Sequence, residues 1–413
     1  MFGYIVNNLP DIPESVVIDG DLMHSPNWRT APVVKREWKT SILSDLKGGE
    51  QRSALFTWPR RMLQYQFTGL TFQQAARLKR KLYANSFGVL NVPFWMDRTV
   101  LAASALREQP ELLVESTACR NFEVGGTCVV YGNETCYEVR VIDSILPTKI
   151  TLTTDLVYDW PAGVSVYPVL RSRIRSGQEM RMKTTFVGEL AVEVIEEFNS
   201  DITRYAGDIS SFPVYKGYPV FDVAPDWSDD VVISFYHPYE TLSFIGKPLH
   251  SSHRDETEFL LQIAYTSFER ESIQLIIDFF NEHRGRWGAF WLPTWQDDVK
   301  VVEEFDAGDD RITIESIQYP TYWENTVTGA SVAIVWPDGS MVCLDVIAAT
   351  STQLVFDGVI GRDSGPLTFL MVSFLWLCRF DHDELLLRYL TDDKIRTELS
   401  FKTLSREVTW PES

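Results

Sequence analysis

The chain has 413 residues, of which 45% are hydrophobic and 13% aromatic; this excludes general disorder and gives room for two to four domains. A net charge of −19 argues against a surface that grips phosphates, and it suits solubility or a passage through which DNA slides without sticking. No apolar run approaches the roughly 20 residues that a membrane helix needs. The longest, 367–377, is broken by Thr368 and Ser373 and has the length of a strand.

Residues 1–32 hold Leu9-Pro10, Ile12-Pro13 and Ala31-Pro32 among Asn and Asp, the signature of an extended arm. They show no basic then apolar leader, so folding in a cytoplasm is expected. Strand patterns begin near Val33 and lead through Trp38, Thr40 and Ile42 to a polar turn at 45–50. Two more runs, 53–58 and 62–67, predict a hairpin with Arg60 and Arg61 at its turn. Thr71 is the expected N-cap of a helix carrying Phe72, Ala75, Ala76, Leu78, Leu82 and Tyr83 at helical spacing. From 112 to 170 short runs of β-branched and aromatic residues alternate with Gly and Pro, which predicts a small β-barrel or sandwich. A further strand is expected at 183–194, and 199–227, with Pro213, Pro219 and Pro225, reads as a linker.

The second half then runs the same programme. Strands at 231–235, 242–245 and 259–265 precede a helix at 268–283 with Ile273, Ile276, Ile277 and Phe280 on one face. Next comes HRGRWGAFWLPTWQDD, His283 to Asp298, which echoes LYANSFGVLNVPFWMD at Leu82 to Asp97. Phe94-Trp95 and Phe290-Trp291 lie 290 − 94 = 196 residues apart. Further matches, 129–131 with 334–336 and 189–194 with 398–403, put the offset at 205 and 209. An internal duplication with small loop insertions is expected.

The chemistry in the sequence is sparse. It holds no phosphate loop, dinucleotide fingerprint, nucleophile elbow or HExxH. His250 and His253 stand beside Asp255 and Glu256, but in a polar turn and not on a helix. Five cysteines, with Cys119, Cys128 and Cys136 spaced 9 and 8 apart, fit neither a disulfide framework nor a tight zinc pair; structural thiols are expected there and at Cys343 and Cys378. Paired acids such as Asp297-Asp298 and Glu196-Glu197 read as solvated surface. Phe94, Trp95, Phe290, Trp291, Pro293 and Trp295 recur once per half beside a helix end. They are expected to anchor packing or subunit contact, with Arg60 and Arg61 as further interface candidates.

The segments EWKTSI at 37–42, EQR at 50–52, Trp58-Pro59-Arg60-Arg61, the helix and FWLPTWQDD together resemble the distal tail and baseplate-hub proteins of long-tailed, siphophage-like bacteriophages and related gene-transfer-agent components. The second half lacks the Trp-Pro-Arg-Arg segment. The resemblance implies a mainly β fold: two tandem tail-tube-like β-sandwich domains, each with one packed helix and a small β-barrel module. On that reading 1–32 is the arm, 33–111 with 178–198 the first tube-like domain and 112–177 its module. Residues 199–230 are the linker, 231–304 with 378–413 the second tube-like domain and 305–377 its module. The implied function is structural, without catalysis, metal or cofactor: a virion ring joining tail tube to tail tip around the DNA channel, assembled in the host cytoplasm. The implied partners are further copies of itself, the tube protein, the tape measure protein and tail-tip proteins. Two tube-like domains per chain favour a trimer with pseudo-sixfold symmetry over a hexamer. A receptor- or carbohydrate-binding tip protein, or a tail glycosidase, is the alternative.

Overall fold

A computed structural model describes residues 20–404 except 46, 86–87, 186, 198–207, 244–245, 255–256, 325 and 368–369. The chain is mainly β, with an extended antiparallel sheet and few helices. In chain order the first unit contains β1 (Val33–Glu37), β2 (Thr40–Ser44), β3 (Glu50–Ala54), β4 (Arg60–Leu70), α1 (Phe72–Ala84) and β5 (Val89–Pro93). Its module adds β6 (Thr99–Val100), β7 (Glu111–Leu113), β8 (Thr127–Asn133), β9 (Cys136–Leu146) and β10 (Lys149–Leu152). The unit closes with β11 (Ser165–Ile174), β12 (Met180–Met182) and β13 (Gly188–Glu196). A short hairpin, β14 (Val214–Tyr215) and β15 (Tyr218–Pro219), precedes the second unit. That unit contains β16 (Val232–Tyr236), β17 (Glu240–Leu242), β18 (Leu249–Ser251), β19 (Glu258–Ser267), α2 (Arg270–Glu282) and β20 (Phe290–Pro293). Its module holds β21 (Arg311–Thr313), α3 (Tyr319–Tyr322), β22 (Ser331–Val335), β23 (Met341–Ala349) and β24 (Gln353–Phe356). It ends with β25 (Met371–Phe380), β26 (Glu384–Tyr389) and β27 (Ile395–Thr403).

The two units pair their strands in the same way. β4 lies on β13 as β19 lies on β27, and β5 lies on β11 as β20 lies on β25. The modules repeat as well: β8 joins β11 and β9, and β22 joins β25 and β23. Register fixes the equivalence. Pro93 faces Val169 and Pro293 faces Leu375, so the aromatic segment is offset by 293 − 93 = 200 residues, not 196. Trp295 therefore answers Trp95, whereas Phe290 answers Leu90 and Trp291 answers Asn91. A four-residue slip leaves the in-and-out alternation of a strand unchanged, so hydrophobic pattern alone does not detect it. The same registers set the module offset at 334 − 130 = 204, from Val130 on Val166 and Ile334 on Val372, and the closing strands at 399 − 192 = 207.

Local chemistry explains the recurring pieces. Thr71 caps α1 with a capping box: it accepts from the Gln74 backbone, and Gln74 answers through its side chain. Each unit begins with a tryptophan in the left-handed region, Trp28 at φ 57° and Trp227 at φ 55°. Asn27 accepts from the Arg29 backbone and Asp226 from the Ser228 backbone, so each tryptophan sits in an Asx turn. Asn27 also donates to the Thr68 carbonyl, and Asp226 accepts from the Thr266 backbone, which ties each turn to the end of the strand before the helix.

Of the segments expected to be an arm and a linker, the described parts, 20–32 and 208–230, contribute buried residues and strand bridges to the units. Residues 1–19 lie outside the described residues, but Leu22 and Met23 are buried, as are their later counterparts' neighbours Val220 and Phe221. Asp21 bridges Asn91 in parallel, and Val220 bridges Trp291. A Pro-rich segment with few apolar residues can still supply one strand-edge partner, which is why composition read it as unpacked. The hairpin expected around Arg60 and Arg61 is also absent. β3 pairs with β2, whereas β4 pairs with β1 and β13, so the chain crosses between sheets at Pro59.

Candidate functional site: the joint between the two units

β1 of the first unit lies between β4, its own neighbour, and β26 of the second unit. The register runs from Val33 on Arg388 to Glu37 on Glu384, so one sheet continues across both halves. Val34, Leu385, Leu387, Leu63 and Tyr65 are buried on the helix side of this seam. Phe94 meets Tyr389 of the second unit edge-on at 6.3 Å.

Beyond the seam, the β2–β3 hairpin of the first unit reaches over the second. The Trp38 backbone donates to the Asp383 carbonyl at 2.8 Å. Thr40 donates to the Asp383 carboxylate through its backbone at 2.9 Å and its hydroxyl at 2.8 Å, and Arg286 holds the same carboxylate at 3.1 Å. Glu50, on β3, accepts from Arg379 Nε at 2.8 Å and Nη2 at 3.0 Å, and from Lys402 at 3.2 Å. The Glu50 and Arg379 side chains are 4% and 5% exposed, so this is a desolvated ion pair between units. Burial alone would raise the Glu50 carboxyl, but Arg379 and Lys402 outweigh it and hold Glu50 at about 2. Gly285 makes the fit possible: its φ is +67°, and a Cβ there would lie 2.7 Å from Asp383 Oδ1 and 3.3 Å from Trp38 Cβ.

A third contact starts from α2. Arg270, its first residue, donates to Asp97 at 2.7 Å and to the Met96 and Asp392 carbonyls. Asp97 also accepts from the backbone of Asn121 at 2.6 Å. The second unit thereby grips the end of the first unit's aromatic segment.

The named candidates separate on this geometry. Arg61 is buried and clamps Glu196 through two hydrogen bonds of 2.8 Å, with Asn121 as a further acceptor, so it braces its own unit and does not face a neighbouring copy. A sequence turn had been expected there; β4 in fact begins at Arg60, so Arg61 points inward. Arg60 is exposed, with its guanidinium 4.4 Å from the Phe56 ring. Trp95 packs against Tyr131 and Tyr167, both at 4.9 Å, where module and main sheet meet. Phe290 lies in the second core among Phe279 at 4.9 Å, Phe380 at 4.9 Å and His283 at 5.0 Å. Pro293 and Trp295 are buried, and half-buried Trp291 meets Tyr215 at 5.3 Å. Only Phe94 of the set touches the joint by its ring. Glu50, Arg270, Arg379 and Asp383 make the joint; each lies in an ordinary polar or charged stretch, and no local signal marks its distant partner.

Among the described residues no group of three or more His, Cys, Asp or Glu is placed to hold a metal ion. His250 shares a hydrogen bond with Thr241, and Asp255 and Glu256 lie outside the described residues. All five cysteines are free thiols; burial pushes Cys128 and Cys343 up to about 12. Among the described residues no helix is long and apolar enough to cross a membrane.

Comparison with protein-family models and with curated proteins gives no match. The joint must accordingly be read from its own geometry.

Proposed function

We propose that the chain is a structural protein of a bacteriophage tail end, a ring component that joins tail tube to tail tip around the DNA channel. The observation that carries this reading is the seam of β1 on β26. It is a heterologous contact: two equivalent units meet through different edges. Such a contact, repeated with a constant rotation, generates a ring or a filament. A chain that holds two units already contains one step of that repetition. Three chains would then give six similar units, a trimer with pseudo-sixfold symmetry.

The surface supports the same reading. α1 and α2 cover one face of the continuous sheet. The other face carries polar residues paired across strands, including Lys35 with Glu384 and Arg175 with Glu193. With a net charge of −19 the chain suits a wall that DNA slides past. Electron microscopy of the purified chain or of virions tests the proposal. Rings of three copies at the tail end are expected. Rings of six copies would refute the trimer, and a diffuse location away from the tail end would refute the function.

A further inference from the structure

Two sheet edges are consumed by the internal seam, β1 and β26. Two others, β16 and β12, have a strand partner on one side only among the described residues: β19 for β16, and β13 for β12. These are the counterparts of the joined pair. Val232 faces Gln262 as Val33 faces Gln64, so β16 answers β1. Arg181 faces Glu189 as Arg388 faces Arg396, so β12 answers β26.

Resting on the ring reading above, we propose that β16 of one copy adds to β12 of a second copy, antiparallel and in the register of the internal seam. Carried over, Val33 on Arg388 becomes Val232 on Arg181 of the neighbouring copy. Val34 on Leu387 becomes Ile233 on Met180, and Lys35 on Leu386 becomes Ser234 on Glu179. Strand addition of this kind satisfies a row of backbone donors and acceptors at each open edge.

Two observations make a second copy the fitting occupant. The first is the character of the edges. Phe235 is 72% exposed, Tyr236 54% and Met182 50%. Edges meant for water carry charge or are cut short; β12 is short and holds Arg181, but the large apolar side chains of β16 mark a covered surface. The second is a groove. The tip of the β2–β3 hairpin, Lys47 and Gly48, borders a groove of the second unit lined by Val327, Trp376, Leu377, Thr403 and Leu404, with the Arg254 guanidinium beside Gly48. The first unit has the counterpart groove, lined by Glu123, Leu170, Arg171, Glu196 and Glu197 at the same offsets of 204, 206 and 207. The element that answers the β2–β3 hairpin is the β17–β18 hairpin, whose Leu242 and Leu249 are exposed and whose turn carries Lys247.

Paired cysteines test the register. A chain with Ser234→Cys and Glu179→Cys is oxidised mildly and run on a denaturing gel, beside the parent chain. Lys35→Cys with Leu386→Cys serves as the internal benchmark, and Ile233→Cys with Glu179→Cys places the thiols on opposite faces. Covalent multimers are expected from the first pair only, and closure within one chain from the benchmark. Mixing the two single variants is expected to give dimers and nothing larger, the signature of a heterologous contact. A monomer from the first pair, with the benchmark closed, overturns the proposed joint. Native mass spectrometry separates the two levels: a multimer that forms without this cross-link refutes the joint and leaves the ring, whereas a monomer refutes the joint and removes the ring's support. Phe235→Asp and Met182→Asp are expected to weaken self-association at least about tenfold; the melting temperature should stay unchanged for Met182→Asp and fall slightly for Phe235→Asp, which gives up the edge contact with Phe259 at 5.2 Å. Association unaffected by either change also overturns the joint.

Discussion

Replacing Glu50 by Ala tests whether the two units are held by their buried ion pair. The change removes both hydrogen bonds to Arg379, at 2.8 and 3.0 Å, and the 3.2 Å bond from Lys402. Lys402 keeps Glu258 at 3.2 Å, so it is not stranded. Arg379 keeps the Phe380 carbonyl at 2.8 Å and Asp381 only at 3.7 Å, inside a site where its side chain is 5% exposed. The loss falls on this buried guanidinium and also on buried Arg52, whose charge Glu50 supports; breaking a buried pair costs about 3–5 kcal/mol. Urea unfolding followed by tryptophan fluorescence gives the stability, and hydrogen exchange of the β2–β3 amides reports whether the hairpin lifts off. The effect of Glu50→Ala should be smaller when Arg379 is already Met, because only Arg52 of the two buried guanidiniums is then left without it. Acid should act in the same direction. A carboxyl held at about 2 stabilises fully above its ordinary value of 4.5, and that stabilisation is lost as pH falls from 4.5 towards 2. A loss under about 1 kcal/mol for the single change, typical of an exposed pair, would refute the reasoning.

Other perturbations separate the joint from the units. Gly285→Ala should destabilise by about 1–2 kcal/mol from its left-handed backbone alone and raise exchange at Thr40, since its Cβ would press on Asp383 and Trp38; unchanged exchange there would place the glycine outside the joint. Asp97→Ala should cost about 1.5–3 kcal/mol by removing one of the two carboxylates on Arg270, with Asp393 remaining at 3.1 Å, measured by the same urea titration. Thr71→Ala removes only the α1 capping box, so about 1 kcal/mol is expected with no change at the hairpin. His283 is held neutral by burial, down to about 4 from 6.5. Its contribution is complete above 6.5 and falls away between 6.5 and 4, by about 3 kcal/mol, and His283→Gln should flatten that limb of the stability–pH curve.

Local signals carried well into the fold, and non-local ones did not. The mainly β character, both helices and the N-cap at Thr71 follow from period and side-chain chemistry within a few residues. The duplication was legible because both copies keep glycine, proline and aromatic residues at helix ends, but its register was not. Hydrogen bonding to β11 and β25 decides whether Trp95 answers Trp291 or Trp295, and those strands lie some 75 residues away in the chain. Arg61 misled for a related reason: a basic pair after proline reads as a turn until its partner Glu196, 135 residues on, is in place. The joint itself was invisible, since Glu50 and Arg379 are separated by 329 residues. One faint trace existed, in that Trp28 and Trp227 follow Asn and Asp at the head of each unit.

The two kinds of edge differ in a way that their different tasks explain. Within the chain the seam is built with charge: half-buried Arg36 on β1, and buried Arg270 on α2 and Glu50 on the hairpin. Burial pushes the Arg36 guanidinium down to about 10, and the nearby Arg61 adds to that. At the open edges two of these counterparts are apolar, although β12 keeps Arg181 where β26 has Arg388. Phe235 stands where β1 has Arg36, and Phe72, 65% exposed, stands where α2 has Arg270. Desolvating a charge is tolerable when the partner is tethered in the same chain, because the tether keeps the effective concentration high and the penalty is met once, in folding. Contacts between separate chains must overcome the loss of translational freedom as well, and stranded charge would weaken them further. Apolar residues add a gain without that penalty. On the proposed joint, one contact geometry would carry two chemistries, a charged seam inside the chain and a more apolar one between chains. Exchanging them should separate the two tasks: Phe235→Arg is expected to leave the monomer intact and abolish self-association, whereas Arg36→Phe should loosen the seam less than Glu50→Ala does.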